Sequence, residues 1–305
     1  MNDILIHTEH VTKTYGKQKA LDDVSITLQR GEIYGLVGNN GAGKTTLMRL
    51  IAGQSPMESG EIQLFGGRTE AELRKNRRRM GTLIETPGFF SYLTARENLE
   101  YFRLQFGIPG KDIVEGTLEE VGLGDAGNKK YKNFSLGMKQ RLGLALAIMH
   151  SPEFLVLDEP INGLDPEGII EIRSLLQKIN SKKNVTILIS SHILPELSSI
   201  ATRYGFLKNG VLLEELSAQE LLRKCSVYVE LQVSDVKKAS VVLETRLGIR
   251  NYQVYPDGYL HVFEKLDQVD QICREVVLAD IGLFSAHKQA MDLESYYVNL
   301  MGGTQ

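Results

Sequence analysis

Residues 38–45, Gly-Asn-Asn-Gly-Ala-Gly-Lys-Thr, have the composition and spacing of a loop that binds phosphate groups. An apolar run at residues 33–37 precedes this loop, and a helix-like run at residues 46–52 follows it. In that setting the glycines let backbone N–H groups curl around phosphate oxygens, the helix N-terminus adds positive potential, and Lys44 supplies a compact cation. The pattern predicts that the chain binds a nucleoside triphosphate through Gly38, Asn39, Asn40, Gly41, Ala42, Gly43, Lys44, Thr45 and Thr46.

Two adjacent carboxylates, Asp158 and Glu159, follow the continuous apolar run at residues 154–157. An acidic residue at the end of a buried strand is the usual second half of a triphosphate site. Asp158 would hold Mg²⁺ through the water shell of the ion, while the hydroxyl of Thr45 supplies a ligand. Glu159 is one residue further along, where it can orient or deprotonate the attacking water. The alternative is an acidic pair that only solvates a loop.

Two further candidates, His192 and Ser135, have weaker individual patterns. His192 follows the apolar run at residues 185–189, and ligands collect where the strands of a parallel sheet end. It could contact the γ-phosphate, or it could be an ordinary polar residue of a loop. Ser135 and Gly137 open a long helical pattern that offers another potential anion site. A serine at the helix N-cap explains that pattern equally well.

The segments that must position these residues include a short antiparallel β-subdomain and a parallel sheet. Alternation of apolar and polar residues predicts strands at residues 4–11 and 24–28. The continuous runs at 154–157 and 185–189 are separated by a helix-like stretch. Runs of this kind that alternate with helices are typical of a parallel sheet covered on both faces. The expected fold class of residues 1–217 is therefore α/β.

Helical spacing predicts an insert at about residues 86–150, in which Thr94 caps a helix and Glu97 completes a capping box. Beyond the α/β domain the pattern becomes β–α–β–β–α–β with a closing helix. Pro256-Asp257-Gly258 indicates a turn between the two middle strands. This order predicts a small α+β domain of the ferredoxin-like plan at residues 218–305.

The composition disfavours several classes of protein. The chain has 305 residues, 42% hydrophobic and 24% charged, and its formal net charge of -3 gives no basic footprint for nucleic acid. The lone cysteines Cys225 and Cys273 indicate a cytosolic, thiol-reduced protein. We expect no signal peptide and find no apolar run of about 18 residues, so a role at a membrane requires another chain that crosses it. The basic cluster at residues 74–79 is expected to form a solvated helix face, or else a contact with lipid headgroups or a partner.

Taken together and in order, the motifs resemble those of the ATP-binding cassette family. The matching features are the aromatic residue that stacks on adenine, Tyr15; the phosphate loop at 38–45; the signature at 134–138; the metal-binding strand that ends in Asp158 and the catalytic Glu159; the dimer-contact loop with Asp165; and the switch histidine, His192. The resemblance implies that two cassettes close head to tail over two ATP·Mg²⁺. Each triphosphate would then lie between Lys44, Asp158 and Glu159 of one chain and Ser135 and Gly137 of the other.

Two departures from the family pattern concern the signature and Glu85. Leu136 and Met138 replace a glycine and the glutamine of the usual Leu-Ser-Gly-Gly-Gln, while Ser135 and Gly137 remain as the phosphate-facing pair. Glu85 stands where most members carry a glutamine that touches Mg²⁺ and couples to the membrane subunit. A carboxylate is at least as good a ligand for Mg²⁺, but it adds negative charge near the triphosphate. Slower or more partner-dependent hydrolysis is the expected consequence.

The segment around Glu85, residues 93–99 and the tail at residues 293–297 resemble cassette ATPases that export bacitracin or lantibiotics in Gram-positive bacteria. The resemblance implies an ATP hydrolase on the cytoplasmic face of the cell membrane, with a separate permease and a second copy of the chain as partners. It also implies a role in resistance or self-protection. Phe89, Phe90 and Tyr92 would either be exposed toward the permease or pack within the helical insert.

Other functions remain open at this point. The substrate could be a lipid or another small molecule, or the chain could be a nucleotide-gated regulator that drives no transport. Soluble cassette ATPases that act on ribosomes or DNA generally carry two cassettes or long coiled coils, which this sequence lacks. The second domain has no catalytic pattern and could set dimer contacts, regulate turnover or stabilise the cassette.

Overall fold

The structure of the protein is a computed structural model that describes residues 3–85, 87–225, 227–290 and 292–302. The start of the predicted helical insert, at Thr86, lies outside the described residues. The chain forms two units, Met1–Ala218 and Gln219–Gln305. Every motif of the predicted nucleotide site falls in the first unit, which is therefore the unit that positions the site.

The first unit begins with antiparallel strands and continues with alternating strands and helices. In chain order its elements are β1 (Ile4–Tyr15), β2 (Gln18–Val24), β3 (Thr27–Gln29), β4 (Ile33–Val37), α1 (Lys44–Ala52), β5 (Ser59–Leu64), α2 (Glu70–Arg77), β6 (Met80–Leu83), α3 (Ala95–Gln105), α4 (Ile113–Glu120), α5 (Leu136–Ile148), β7 (Phe154–Leu157), α6 (Pro166–Lys183), β8 (Thr186–Ser191), α7 (Leu194–Leu197), β9 (Arg203–Lys208) and β10 (Val211–Ser217).

The central sheet has the order β10-β9-β4-β8-β7-β6, parallel throughout except for β10 at one edge. All residues of β4, β7 and β8 are buried, as expected for strands covered on both faces. The register places Val37 beside Ser191 and Leu157 beside Ile189. The predicted α/β class is confirmed, and the phosphate loop, Asp158 and His192 all follow strands that end at one edge of this sheet.

The antiparallel β-subdomain is built on β1, which pairs with β2, β3 and β5. The strand predicted at residues 4–11 is longer, because β1 continues to Tyr15 and forms a hairpin with β2. The strand predicted at residues 24–28 is wrong as one element, since β2 ends at Val24 and β3 begins at Thr27. Asp23, inside β2, has a φ of 59°, in the left-handed region, and the two residues between the strands, Ser25 and Ile26, belong to neither of them.

Helix α3 opens the helical insert with the predicted capping box. The Thr94 hydroxyl accepts a hydrogen bond from the Glu97 N–H at 3.2 Å, and the Glu97 carboxylate accepts one from the Thr94 N–H at 2.8 Å. These contacts satisfy donors that the first turn of a helix otherwise leaves unpaired. The predicted helix start is confirmed.

The three aromatic residues ahead of α3 differ in exposure. Phe89 is buried, with its ring centroid 5.6 Å from that of Phe102 and 5.2 Å from that of Tyr131. Phe90 is half-buried and packs edge-to-face on Tyr101 at 4.9 Å. Tyr92, in contrast, is 64% exposed. Of the two alternatives left open by the sequence, packing within the helical insert holds for Phe89, which fills the space between α3 and the segment before α5, and exposure holds for Tyr92.

Asn98 of α3 connects the aromatic segment to the insert. Its side chain is fully buried, its Oδ1 accepts from the Phe90 N–H at 2.8 Å, and its Nδ2 donates to the carbonyl oxygens of Phe90 at 3.1 Å and Thr94 at 2.9 Å. A buried amide with three good partners is costly to remove, because its partners lose their hydrogen bonds without gaining water.

We predict that Asn98→Ala lowers the free energy of unfolding by about 2 kcal/mol, since the N–H and C=O of Phe90 lose these partners. Thr94→Ala, which removes one cap on the same helix, is expected to cost about 1 kcal/mol and serves as the comparison. Denaturant unfolding of the nucleotide-free protein measures both. Equal effects of the two substitutions would show that Asn98 contributes no more than a surface cap.

The second unit is a four-stranded antiparallel sheet with helices. Its elements, with the helix that leads into it, are α8 (Ala218–Lys224), β11 (Val227–Val233), α9 (Val236–Thr245), β12 (Tyr252–Tyr255), β13 (Tyr259–Val262), α10 (Val269–Leu278), β14 (Leu283–Ala290) and α11 (Leu293–Gly302). The sheet order is β12-β13-β11-β14, and a core that includes Leu231, Leu243 and Ile272 lies between the sheet and helices α9 and α10. From this order we infer a ferredoxin-like arrangement. Across the described ranges of the chain, no helix combines the length and apolar character needed to cross a membrane.

Candidate active site

The phosphate loop turns from β4 into α1 along a path that only glycine allows at two positions. A Cβ on Gly38 would lie 2.3 Å from the carbonyl oxygen of Leu207, so the backbone approaches β9 too closely for any side chain. Gly43 has a φ of 109°, and a Cβ there would lie 2.4 Å from the carbonyl oxygen of Ala20. The loop shape is thus set by packing inside the protein.

Lys44 is the first residue of α1 and is 5% exposed. Its Nζ donates to the carbonyl oxygens of Gly38 at 2.6 Å and Asn39 at 3.3 Å, and lies 3.1 Å from Oε1 of Glu159. A buried ammonium group requires partners that compensate its lost hydration. This geometry holds the cation inside the loop, beside the predicted catalytic carboxylate.

Thr45 and Asp158, the predicted metal-binding pair, are in direct contact. The hydroxyl of Thr45 donates to Oδ2 of Asp158 at 2.6 Å, and Ser190 donates to Oδ1 of the same carboxylate at 2.6 Å. Hydroxyl and carboxylate oxygens are the ligand types that Mg²⁺ prefers. The donor set at this point therefore fits that ion.

Glu159 and His192 meet at the same edge of the sheet. Oε2 of Glu159 accepts a hydrogen bond from Nδ2 of Asn162 at 3.1 Å and lies 3.2 Å from Nδ1 of His192. The approach to His192 is close enough for an ion pair but lacks hydrogen-bond alignment, so Nδ1 is buried without a hydrogen-bond partner among the described residues. A further polar group at this point would satisfy it.

A cleft of about 310 Å³ adjoins these groups. The residues that line it include Tyr15, Gln18, Asn40, Gly41, Ala42, Gly43, Lys44, Thr45, Thr46 and Glu159. The ring of Tyr15 is 49% exposed, and Nζ of Lys13 lies 5.3 Å from its centroid. An exposed ring at the mouth of a polar cleft offers an apolar face to a planar group.

The predicted signature and dimer-contact residues form a second, separate site in the same unit. Ser135 caps α5, where its hydroxyl accepts from the Met138 N–H at 3.3 Å, and Asp165 caps α6, where Oδ1 accepts from the Gly168 N–H at 3.3 Å. Both line a cleft of about 640 Å³ together with Gly137. No residue lines both this cleft and the one beside the phosphate loop. One chain therefore holds these two groups of predicted residues in two separate clefts.

Glu85 is the third of the predicted metal ligands. Its side chain is 69% exposed and forms an ion pair with Arg49 of α1. Arg49 was not a candidate in the sequence, since its partner is 36 residues away. The ion pair brings the positive charge of Arg49 next to Glu85. It offsets the negative charge that Glu85 adds at a position where most family members carry a neutral glutamine.

Ser190 was also missed by the sequence analysis. It is 1% exposed, its hydroxyl donates to Asp158, and it accepts the Glu159 N–H at 2.8 Å. The rule that selected His192, polar residues where a buried parallel strand ends, applies equally to Ser190. The available indication was a serine directly after the apolar run at residues 185–189.

The chain is similar to known proteins over most of its length. The family model for the ABC transporter matches residues 21–162. The bacitracin transport ATP-binding protein BcrA of Bacillus licheniformis is 42% identical over 299 residues, which are 98% of this chain and 98% of BcrA. The lantibiotic transport ATP-binding protein SrtF of Streptococcus pyogenes is 39% identical over 211 residues, 69% of this chain and 90% of SrtF. The dimeric, post-hydrolysis ATP-binding cassette MJ0796 with ADP and Pi has a TM-score of 0.64 and 25% identity, over 70% of this chain and 98% of MJ0796.

Proposed function

The chain belongs to the ATP-binding subunits of ABC transporters, and on that basis we propose that it powers export of a bacitracin- or lantibiotic-like peptide through a separate permease. ATP hydrolysis is the activity of the family; the peptide substrate and a role in resistance or immunity are the proposal. The observation that carries it is the 42% identity to BcrA over 98% of both chains, since this similarity includes the second unit as well as the cassette.

Nucleotide binding is assigned to the first cleft. Lys44 and the N–H groups of residues 38–46 would bind the phosphates, and Tyr15 would stack on adenine. Thr45 and Asp158 would hold Mg²⁺, which supplies positive charge to the phosphate oxygens. The contact of 2.6 Å between Thr45 and Asp158 supports a shared role for these two oxygens.

Hydrolysis is assigned to Glu159 and His192. Glu159 accepts a proton from the water that attacks the γ-phosphorus, while the bond from that phosphorus to the bridging oxygen breaks and ADP leaves. His192 donates a hydrogen bond to the γ-phosphate. Its buried Nδ1, which has no hydrogen-bond partner among the described residues, supports this role.

A complete site requires two copies of the chain. Ser135, Gly137 and Asp165 line a cleft of their own, which supports the proposal that they contact the triphosphate held by another chain. A head-to-tail dimer meets this requirement twice, and the dimeric state of the MJ0796 cassette supports it. ATP at the interface favours the closed dimer, and hydrolysis releases it, which moves the permease between conformations.

Glu85 is proposed to contact the metal once it leaves Arg49. We predict that Glu85→Gln raises the Mg²⁺ concentration needed for half-maximal ATPase activity several-fold, because a neutral amide binds the cation more weakly. Arg49→Gln removes the competing ion pair and is expected to shift the same value downward. Magnesium titrations of both variants at saturating ATP measure the shifts. Shifts in the same direction would contradict competition between Arg49 and the metal.

The permease is proposed to dock at a cleft of about 790 Å³ beside Glu85, at the inner face of the cell membrane. The cleft is lined mainly by apolar groups, including Leu83, Pro87 and Phe106. Tyr92, 64% exposed, and Phe106, 56% exposed, are large apolar groups of the same unit. An apolar segment of the permease would cover them. Cysteine cross-linking from Phe106, which lines the cleft, to permease loops tests this contact.

The test of the whole proposal is made in the native host. Glu159→Gln is introduced at the chromosomal locus, and growth inhibition is recorded for a panel that contains bacitracin, several lantibiotics and antibiotics without a peptide backbone. Selective sensitisation to one peptide class is the expected result. Unchanged susceptibility, with the permease shown to be expressed, would overturn the peptide-export proposal and leave the ATPase assignment in place.

A further inference from the structure

We propose that Ser190 is a positioning residue of the ATPase reaction, in which one hydroxyl fixes both the carboxylate of Asp158 and the backbone of Glu159. This inference rests on the proposed roles of those two residues. Among the described residues, the Ser190 hydroxyl forms its hydrogen bonds with Asp158 and Glu159, and none with the phosphate loop or His192. It acts through these two residues, which follow the adjacent strand β7.

The first contact is with Asp158. The Ser190 hydroxyl donates to Oδ1 at 2.6 Å while Thr45 donates to Oδ2 at 2.6 Å, so a different hydroxyl binds each oxygen of the carboxylate. The hydroxyl of Thr45 is itself a candidate ligand of Mg²⁺. The contact to Ser190 is independent of that ligand and keeps the plane of the carboxylate fixed.

The second contact is with the backbone of Glu159. This residue has a φ of 47°, a left-handed conformation that is unfavourable for a side chain of this size. Its N–H donates to the Ser190 hydroxyl at 2.8 Å. The hydrogen bond holds the turn that directs the Glu159 carboxylate to within 3.1 Å of Nζ of Lys44 and 3.2 Å of Nδ1 of His192.

The hydroxyl of Ser190 has no freedom to reorient. It has one proton, donated to Asp158, and an oxygen that accepts from Glu159, and the residue is 1% exposed. Because neither water nor another rotamer can replace these contacts in a buried site, loss of the hydroxyl must loosen both carboxylates together. Thr186 provides a matched control on the same strand. It is fully buried and its hydroxyl accepts from the Gly31 N–H at 2.9 Å, at the opposite end of β8 from the site.

The experiment compares Ser190→Ala, Ser190→Thr and Thr186→Val in the full-length subunit. We expect Ser190→Ala to lower kcat about 10²-fold, the cost of a misplaced catalytic group, with ATP affinity nearly unchanged. Ser190→Thr keeps the hydroxyl and is expected to restore most of kcat. Thr186→Val is expected to lower the melting temperature to a similar extent as Ser190→Ala but to leave kcat near wild type.

Site-resolved hydrogen exchange of the nucleotide-free protein gives a second measurement that does not depend on activity. The Glu159 amide is expected to exchange at least about 10-fold faster in Ser190→Ala, while the Asp158 amide, bonded to the Leu83 carbonyl at 2.8 Å, keeps its protection. Wild-type kcat in Ser190→Ala would overturn the proposal, as would unchanged exchange at Glu159. Absence of ATP hydrolysis by the wild-type subunit with its permease would instead overturn the proposed function, and the exchange result would still decide whether Ser190 holds Glu159.

Discussion

Glu159→Gln is expected to lower ATP turnover by at least about 100-fold while ATP binding is retained, because the amide cannot take a proton from water. The substitution preserves the size of the side chain, so the contact from Asn162 at 3.1 Å can persist. The charge of Lys44, now 3.1 Å from the carboxylate, would then be wholly available to phosphate. Affinity for ATP is therefore expected to stay equal or to rise.

Phosphate release, ATP binding and dimer mass measured on the same preparation test this expectation. Glu61→Gln is the control, since it also removes one carboxylate, from a side chain that is 66% exposed on β5. The variant at Glu159 should form an ATP-dependent dimer that persists. A variant that stays monomeric with saturating ATP·Mg²⁺ and the permease present would contradict the two-chain site, and wild-type turnover would contradict the role of Glu159.

A second large effect is expected from Lys44→Met and Gly137→Asp, each of which should abolish turnover by damaging a different half-site. Loss of the buried ammonium removes the phosphate-binding cation from the first cleft. A Cβ on Gly137 would meet only Leu164 at 3.7 Å, an ordinary contact, so the aspartate is tolerated by the fold but repels the triphosphate. A mixture of the two variants is expected to regain part of the activity, because each mixed dimer contains one undamaged site.

The matched control places both substitutions in one chain and mixes it with wild type. In such a mixed dimer both sites are damaged, so activity should fall below that of the wild-type dimers alone. The substitutions present are the same in the two mixtures, and only their distribution between chains differs. With equal amounts of the two chains and random pairing, a head-to-tail arrangement leaves the same share of sites intact in both mixtures. No activity in the first mixture, with mixed dimers shown by mass, would contradict the head-to-tail arrangement, because it would mean that each site is built within one chain.

The sequence indicated the candidate site residues but not the contacts that hold them. The phosphate loop, Asp158 and His192 could be located because each follows a buried strand of a parallel sheet. The contact of Ser190 with Asp158 joins residues 32 apart, and that of Arg49 with Glu85 joins residues 36 apart. No local pattern encodes such pairings, because they arise from sheet register and helix placement.

Errors in the predicted elements have a similar origin. The hydrophobic alternation at residues 24–28 is real, but Ser25 and Ile26 belong to neither strand, so the segment is divided between β2 and β3. For Phe89 the sequence left exposure and packing both open, and only the structure shows that its ring packs on Phe102 and Tyr131. Backbone turns and the packing of loops depend on tertiary contacts, which periodicity does not contain.

The glycines of the phosphate loop should be retained for two different reasons, some for folding and one for ligand binding. Glycine is required at positions 38 and 43 because a Cβ there would lie 2.3 Å and 2.4 Å from backbone carbonyl oxygens of the protein itself. Other residues at these two positions should therefore disappear even from a library selected only for soluble expression. Gly41 has a φ of 81° but nothing within 4 Å of a Cβ. Asparagine and aspartate, which tolerate such a backbone, should survive an expression screen at Gly41 and be lost only when antibiotic survival is demanded. Selection for folding would then act at Gly38 and Gly43, and selection for ligand binding would act at Gly41.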